Sequence, residues 1–250
     1  MTQKGSVIFI ILIGIALFAA LSLAVVNSGK NVGEGDDEQM LVLSSQMMQY
    51  ALDVQTGIRR IKAVNGCSDS QISFERPPFD GTDTDYYYDN GKSDFSCHVF
   101  HINGGKVESM PKLPSGLNDG SAAFFTGHTC VPSLKKGDVD PGVSDNCIAA
   151  DGMDILFIIP NIYRTACLLI NDRAGIAAIS GEPPQDHADG WATAAGQYYT
   201  GSFPSSGNHA ITDSSGGYGF DGKRYGCFEG GGTASFPAGK YHFYYAVVDR

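Results

Sequence analysis

Closely spaced carboxylates are the first residues of this chain whose chemistry suggests a site. Asp138, Asp140 and Asp145 lie in the glycine-containing stretch GDVDPGVSD. Because Ca²⁺ prefers six to eight oxygen ligands, a loop of this composition could hold it. The alternative is a plain turn whose Asp side chains bond their own backbone. A similar group in residues 79–89, FDGTDTDYYYD, allows the same two interpretations.

Catalytic motifs are absent from the sequence. It has no G-x-S-x-G elbow, no H-E-x-x-H, no phosphate loop and no dinucleotide fingerprint. Asp186-His187-Ala188-Asp189 could orient a base or hold a metal, but a solvated loop is the favoured interpretation of these residues. His98 and His101 differ in parity on a predicted strand, so they would face opposite sides. We predict that the protein is not an enzyme and needs no cofactor, with calcium as the one candidate metal ion.

Six cysteines predict a disulfide framework. None forms a C-x-x-C pair, so zinc-ribbon spacing is absent. An even number downstream of an apolar segment suggests three disulfides in an oxidising compartment, whereas free buried thiols are the alternative. Of the fifteen pairings that six cysteines allow, the one that closes sequential loops is favoured. It joins Cys67 to Cys97, Cys130 to Cys147 and Cys167 to Cys227.

An apolar run of 20 residues, Val7–Val26, can cross a bilayer as one helix. Lys4 precedes it and acidic residues follow it, so the positive-inside rule places the later residues outside the cytoplasm. A signal cleaved near Ser22–Ala24 is the alternative, although the run is longer than a usual signal core. Its residues need lipid or copies of the same helix around them. The predicted helix surface comprises Val7, Ile8, Ile10, Ile11, Ile13, Gly14, Leu17, Phe18, Leu21 and Val25.

The helices and strands that would position the carboxylates, histidines and cysteines begin after a glycine-containing break at Asn27–Gly35. Apolar residues at 3-4 spacing predict a helix from about Glu38 to Val64, ended by Asn65-Gly66. Its apolar stripe packs either on the domain's own sheet, the commoner arrangement, or on neighbouring copies.

Beyond Cys67 the pattern changes to strands and turns. Residues 98–107 predict a hairpin, DILFII at 154–159 a buried strand closed by Pro160, and YHFYYAVV at 241–248 a strand. A short helix is predicted over residues 163–173, and long loops over 180–236. Adjacent tyrosines at 86–88, 198–199 and 244–245 would expose one ring of each group if the strands are half-buried.

The formal net charge of −10 argues against nucleic acid as a partner, because phosphate binding needs a basic surface.

This layout resembles the type IV pilins and pseudopilins. The matching features are Lys4-Gly5 ahead of the apolar run, a second helix, and a β-rich domain with a late disulfide. The resemblance implies that a leader is cut between Gly5 and Ser6, and that the apolar helices bundle in a filament core beneath the globular domains. Ser6 stands where the family usually has phenylalanine, and Ile10 where it has its hallmark glutamate.

We therefore expect an α+β fold with a long N-terminal helix followed by a loop-rich, disulfide-stapled antiparallel domain. The expected segments are a leader at 1–5, the apolar helix at 6–28, the break and amphipathic helix at 29–66, and an extracytoplasmic domain at 67–250. The expected function is that of a filament subunit on a bacterial cell surface, held in the inner membrane before it assembles with identical subunits. The alternatives are a membrane-anchored module that binds glycan or calcium through residues 180–236, and an anchored periplasmic hydrolase.

Overall fold

The computed structural model describes most of the chain after residue 33. The described residues are 34–86, 93–109, 113, 116–132, 134, 152–186, 198–203, 209–211, 219–232 and 237–250. Contacts divide the chain into a first unit, Met1–Gln39, and a second, Met40–Arg250. The described residues of the first unit are the opening turns of a helix, and all tertiary packing below belongs to the second.

The fold is α+β, as the sequence predicts. Four strands form an antiparallel sheet, and a two-residue strand adds to its edge in parallel, giving the order β3-β1-β2-β5-β4. The elements in chain order are α1 Glu34–Asn65, a 3₁₀ turn Asp69–Gln71, β1 Phe124–Cys130, β2 Asp154–Ile162, α2 Arg164–Ala174, β3 His209–Ala210, β4 Tyr225–Glu229 and β5 Tyr241–Val248.

Helix α1 packs its apolar row on one face of the sheet, which confirms the commoner of the two arrangements considered. The row recurs every three or four residues, so it lies on one side of the helix. It joins the alternate residues of β2 and β5 that point to this face. The Tyr50 and Phe157 rings lie 5.5 Å apart, and Gln55 donates to the Ala246 carbonyl at 3.5 Å. The buried apolar residues of the row are Leu43, Met47, Ala51, Val54, Ile58 and Ile61.

The opposite face of the sheet is also buried. Leu156 and Ile158 of β2 and Tyr244 of β5 point to it and contact Ile176 and Phe220 from the connecting segments. Because both faces are covered, β2 reads as a continuous apolar run rather than as an alternating one. Burial on both faces also accounts for the position of Tyr244-Tyr245, both of which are buried where one exposed ring was expected.

Helix α2 is fastened to edge strand β4 by a disulfide and by one amide side chain. Cys167 bonds Cys227, with their Cα atoms 5.3 Å apart. The Asn171 amide donates to the Cys227 carbonyl and accepts from the Cys227 N–H, both at 2.8 Å. These are the hydrogen bonds that another strand would make, so Asn171 substitutes for a strand at this edge.

Two of the three predicted disulfides are confirmed. Besides Cys167–Cys227, a bond joins Cys67 to Cys97, whose Cα atoms are 5.9 Å apart. It ties the segment after α1 to the turns around residue 97. Cys130 is also disulfide-bonded, and its predicted partner Cys147 lies outside the described residues.

The boundaries of several predicted elements are wrong. Helix α1 begins at Glu34 rather than Glu38, so Gly35 lies inside it. Strand β2 passes through Pro160 to Ile162, because Asn161 takes a left-handed φ of 55° and makes a bulge against β5. Helix α2 ends before Gly175 in the left-handed conformation, as predicted.

The predicted hairpin at residues 98–107 is wrong. Residues 93–105 form successive turns, and Val99 N–H bonds the Ser73 carbonyl of an earlier segment. The Gly104 and Gly105 N–H groups point back into this turn, where Gly105 bonds the His98 carbonyl at 2.9 Å. The prediction of loops alone for residues 180–236 is wrong as well, since β3 and β4 lie there.

The Asn171 contact makes a testable contribution to stability. We predict that Asn171→Ala lowers the free energy of unfolding by about 2–4 kcal/mol, because the buried N–H and carbonyl of Cys227 both lose their partner. Urea unfolding followed by circular dichroism measures the change. Asp172→Ala, at an exposed position of the same helix, is the control and should stay within about 0.5 kcal/mol of wild type. Equal losses in both variants would contradict the proposed role of Asn171.

Candidate functional site

The sequence-predicted sites fall into two groups, those within the described residues and those outside them. Outside lie the apolar run Val7–Val26, the leader junction Gly5–Ser6 and the carboxylates Asp138, Asp140 and Asp145. Across the part of the chain that the structure describes, no helix is both long and apolar enough to cross a membrane.

The side of α1 turned away from its core row carries an exposed apolar stripe. Leu41, Ser45, Met48 and Leu52 recur at intervals of three to four residues and so form one row along the helix. Leu41 and Leu52 are 37% and 42% exposed, and the neighbouring Val42 is 55% exposed. Ser45 is polar and Met48 is partly buried against the core, so the exposed apolar surface consists of Leu41, Val42 and Leu52, which can pack against another protein.

A shallow groove of about 220 Å³ runs beside this stripe, between α1 and α2. Ile170 and Tyr225 supply part of its lining, and the Arg173 guanidinium donates to Ser45 Oγ at 3.4 Å. The stripe and the groove form one continuous surface, which we call the α1 outer face, of residues 41, 42, 45, 48, 52, 170, 173 and 225. A second helix could pack against the apolar residues of this face, with the Arg173 guanidinium at its border.

A buried Glu75–His98 pair is the closest arrangement to an acid–base dyad. His98 Nε2 lies 3.1 Å from Glu75 Oε2, and the other Glu75 oxygen accepts from Gly81 N–H at 3.0 Å. Burial lowers the pKa of His98 in spite of the hydrogen bond to Glu75, so the neutral ring donates to the carboxylate. The two side chains are only 5% and 6% exposed, which keeps a substrate from reaching them. The pair therefore joins two loops that the Cys67–Cys97 bond already holds together.

The acidic loop that contains Asp80, Asp83 and Asp85 uses its carboxylates for internal contacts. Asp83 and Asp85 both pair with Arg76, at 2.6 and 2.9 Å, and Asp80 accepts from the backbone and hydroxyl of Thr82. Burial raises the pKa of Asp83, but the Arg76 hydrogen bonds outweigh it and hold that pKa below its ordinary value. The plain-turn interpretation therefore describes this loop. Among the described residues, no three His, Cys, Asp or Glu side chains are grouped to share a metal ion.

The remaining candidates do not come together as a site. Asp186 is buried and its N–H bonds the Glu229 carbonyl at 2.8 Å, while His187 lies outside the described residues. His98 and His101 lie in turns rather than on a strand, and their rings both contact Phe79 and Phe95. Sequence reasoning missed Glu75, because its partner lies 23 positions away and no local pattern links the two.

Comparison of the chain with protein-family models, with curated proteins and with solved structures returns no match.

Buried histidines make the fold sensitive to acid. His242 on β5 is fully buried, and its Nδ1 accepts from Asn161 N–H at 3.4 Å. Burial lowers the pKa of His242 to about 3, from an ordinary value of about 6.5. Between these two pH values His242 is protonated in the unfolded chain but stays neutral in the folded protein. Because only the unfolded state gains this proton, the free energy of unfolding decreases as the pH falls.

We predict that the free energy of unfolding falls from pH 6.5 to pH 3, and that His242→Phe makes the fall shallower by up to about 4 kcal/mol. Urea titrations at half-unit pH steps measure the slope. His101→Phe, at a partly exposed ring, is the matched control and should keep the wild-type slope. An unchanged slope in His242→Phe would show that His242 is not the titrating group.

Proposed function

We propose that this protein is a structural subunit of an extracytoplasmic filament of the type IV pilin kind, assembled by its N-terminal apolar helices. One observation carries the proposal. The inner row of α1 packs on the subunit's own sheet, yet Leu41, Val42 and Leu52 of the α1 outer face remain exposed. The 20-residue apolar run lies directly upstream of this helix in the sequence. The apolar run and the α1 outer face both require apolar contacts with another surface. Copies of the same chain can supply those contacts to both.

Coverage of one sheet edge supports assembly through helices rather than through strands. Fibres that grow by strand addition need free backbone groups along an edge strand. On β4, the outward groups of Cys227 bond Asn171, and the N–H and carbonyl of Glu229 bond Pro184 and Asp186. An incoming strand finds these groups already paired. The outer edge of β4 is therefore occupied at Cys227 and Glu229, whereas the α1 outer face is open.

The disulfides support a location outside the cytoplasm. Cys67–Cys97 and Cys167–Cys227 are structural bonds between separate segments, and such bonds persist in oxidising compartments. With Lys4 before the apolar run, the globular domain would be exported and the chain held in the inner membrane until assembly. The mature filament would then lie at the bacterial cell surface, with identical subunits as partners.

Assembly would give a helical filament with open symmetry. Head-to-tail contacts between identical subunits form a closed ring only if the rotation between subunits closes on itself. Otherwise they allow further subunits to add and form an open helical filament. Small residues within the apolar run allow helices to approach closely. Since Ile10 replaces the family's hallmark glutamate, apolar packing rather than a charge pair would hold these helices together.

We predict that Leu41→Asp combined with Leu52→Asp abolishes filaments, because each new contact would bury unpaired carboxylates. Negative-stain microscopy of material sheared from cells measures filament number. Both positions are exposed in the subunit, so its melting temperature should stay within a few degrees of wild type. Ile102→Asp, which is 67% exposed on a turn beside the C-terminal end of α1 and outside the α1 outer face, is the control and should leave filaments intact. Normal filaments in the double variant would argue against the α1 outer face as a subunit contact.

A second prediction concerns processing. Mass spectrometry of sheared filaments should give a mature N-terminus at Ser6, and Gly5→Leu should leave the leader attached and prevent assembly, since the resemblance places the cut after this glycine. A product that starts near Val25 would instead identify the apolar run as a cleaved signal, and filament assembly through that run would be excluded.

A further inference from the structure

The α1 outer face carries a cation that has no carboxylate partner within the subunit. The Arg173 guanidinium donates to Ser45 Oγ at 3.4 Å and forms no ion pair in the part of the chain that the structure describes. No residue of the α1 outer face is a carboxylate, so an identical face of another copy cannot supply one. In a head-to-tail assembly this face contacts a different surface of the next copy. That surface has to offer exposed apolar side chains and a carboxylate.

A tight turn near the start of α2 carries both kinds of group. Ile179 and Glu182 exchange two backbone hydrogen bonds, at 2.8 and 3.0 Å, around two residues of positive φ. Residues that are directly opposite in such a pair point to the same side, so the side chains of Ile179 and Glu182 lie together. Ile179 is 44% exposed, and the two residues before it are exposed alanines. The turn therefore presents apolar atoms beside a carboxylate.

Arg164, the first residue of α2, fixes this turn in place. Its Nε donates to Glu182 Oε2, and an Nη donates to the Gly181 carbonyl at 2.7 Å. The Tyr241 hydroxyl reaches the same Glu182 Oε2 at 3.2 Å. The hydrogen bond from Arg164 holds the pKa of Glu182 below its ordinary value, so this carboxylate is charged.

The second oxygen of Glu182 is open to another molecule. Oε1 has no partner among the described residues, and the Glu182 side chain is 48% exposed. Tyr163, beside Arg164, is 47% exposed and extends the apolar area. We call the surface formed by residues 163, 164, 177–179, 182 and 241 the turn surface. It has the apolar side chains and the free carboxylate oxygen that the α1 outer face lacks a partner for.

The two surfaces lie toward opposite ends of α2. Arg173 borders the α1 outer face in the last turn of this helix, whereas Arg164 holds the turn surface at its first residue. Nine residues separate them, which is about 14 Å along the helix axis. Arg173 and Glu182 make no ion pair within one described subunit, but the same two groups of neighbouring copies are free to meet.

We propose that the α1 outer face of one subunit docks on the turn surface of the next, so that each surface is occupied by a second copy of this chain. The exposed leucines of one copy would cover Ile179 and Tyr163 of the other, and Arg173 would bond Glu182 Oε1. Apolar burial supplies the affinity, while the charge pair fixes the register. This contact depends on the proposed filament role and names the partner of the α1 outer face. It is heterologous, so every dimer still carries one free copy of each surface and further subunits can add.

The experiment mixes two variants of the full-length chain in detergent, which covers the apolar run. Leu41→Asp combined with Leu52→Asp alters the α1 outer face and leaves the turn surface intact. Ile179→Arg alters the turn surface, because the added cation opposes Arg173 of the neighbour. In sedimentation velocity we expect wild type to form a series of growing chains and each variant alone to stay monomeric, with a dissociation constant raised at least about tenfold. The mixture should stop at dimers, since each dimer then exposes only the two altered surfaces.

Filaments sheared from cells give a second measurement. Ile179→Arg should lose them, while its melting temperature stays within a few degrees of wild type because the side chain is exposed in the subunit. Arg173→Glu, also at an exposed position, is a second outer-face variant and should form mixed dimers with Ile179→Arg and no filaments alone. Ile102→Asp lies outside both surfaces and is the control that should keep filaments.

Four results would overturn the proposed contact: a wild-type chain that does not associate in detergent, a mixture that stays monomeric, a mixture that grows beyond dimers, or dimers formed by either variant alone. Filaments in both wild type and Ile179→Arg would exclude the turn surface and leave the proposed subunit role standing. A lack of filaments in wild type would instead contradict the proposed function itself.

Discussion

The packing of α1 on the central strands is the contact on which the rest of this structure depends. Its row of aliphatic side chains packs on the face of the sheet that holds Phe125 of β1 and Phe157 of β2. Burial of large apolar side chains is the main favourable contribution to folding. Because this row packs on the sheet, the side of α1 that remains open to other molecules is the one that carries Leu41, Val42 and Leu52.

Disulfides and side-chain hydrogen bonds fix the segments that the apolar core does not hold. Much of the chain runs in turns and loops that bury little apolar area on their own, and the cysteine pairs tie those segments to the helices and to β4. Asn171 does the same through hydrogen bonds, and the Glu75–His98 pair joins two turns beneath the Cys67–Cys97 bond. The result is a domain whose loops are fixed locally and whose β4 edge is already occupied. In a subunit proposed to assemble through helices, such an edge also limits unwanted pairing between strands.

The predictions from sequence succeeded where a pattern was local and long. The 3-4 spacing predicts α1, the apolar run predicts β2, the aromatic run predicts β5, and Gly175 predicts the end of α2. They failed where a distant segment decided the outcome. Residues 98–107 have hairpin composition, yet Ser73 pairs with His98 and Val99 and holds them in turns. Strand β4 was not predicted, because its short sequence YGCFE becomes a strand only through pairing with β5 on one side and Asn171 on the other.

The sequence by itself determined the fold class, the existence of α1's apolar row and the segments that cysteines could join, because periodicity and residue type act over a few positions. Only the tertiary structure decided which surfaces remain available. The paired groups at the edge of β4 and the buried Glu75–His98 pair each depend on residues far apart in the chain. Spacing cannot encode such contacts, since they arise from where the folded sheet places separate segments side by side.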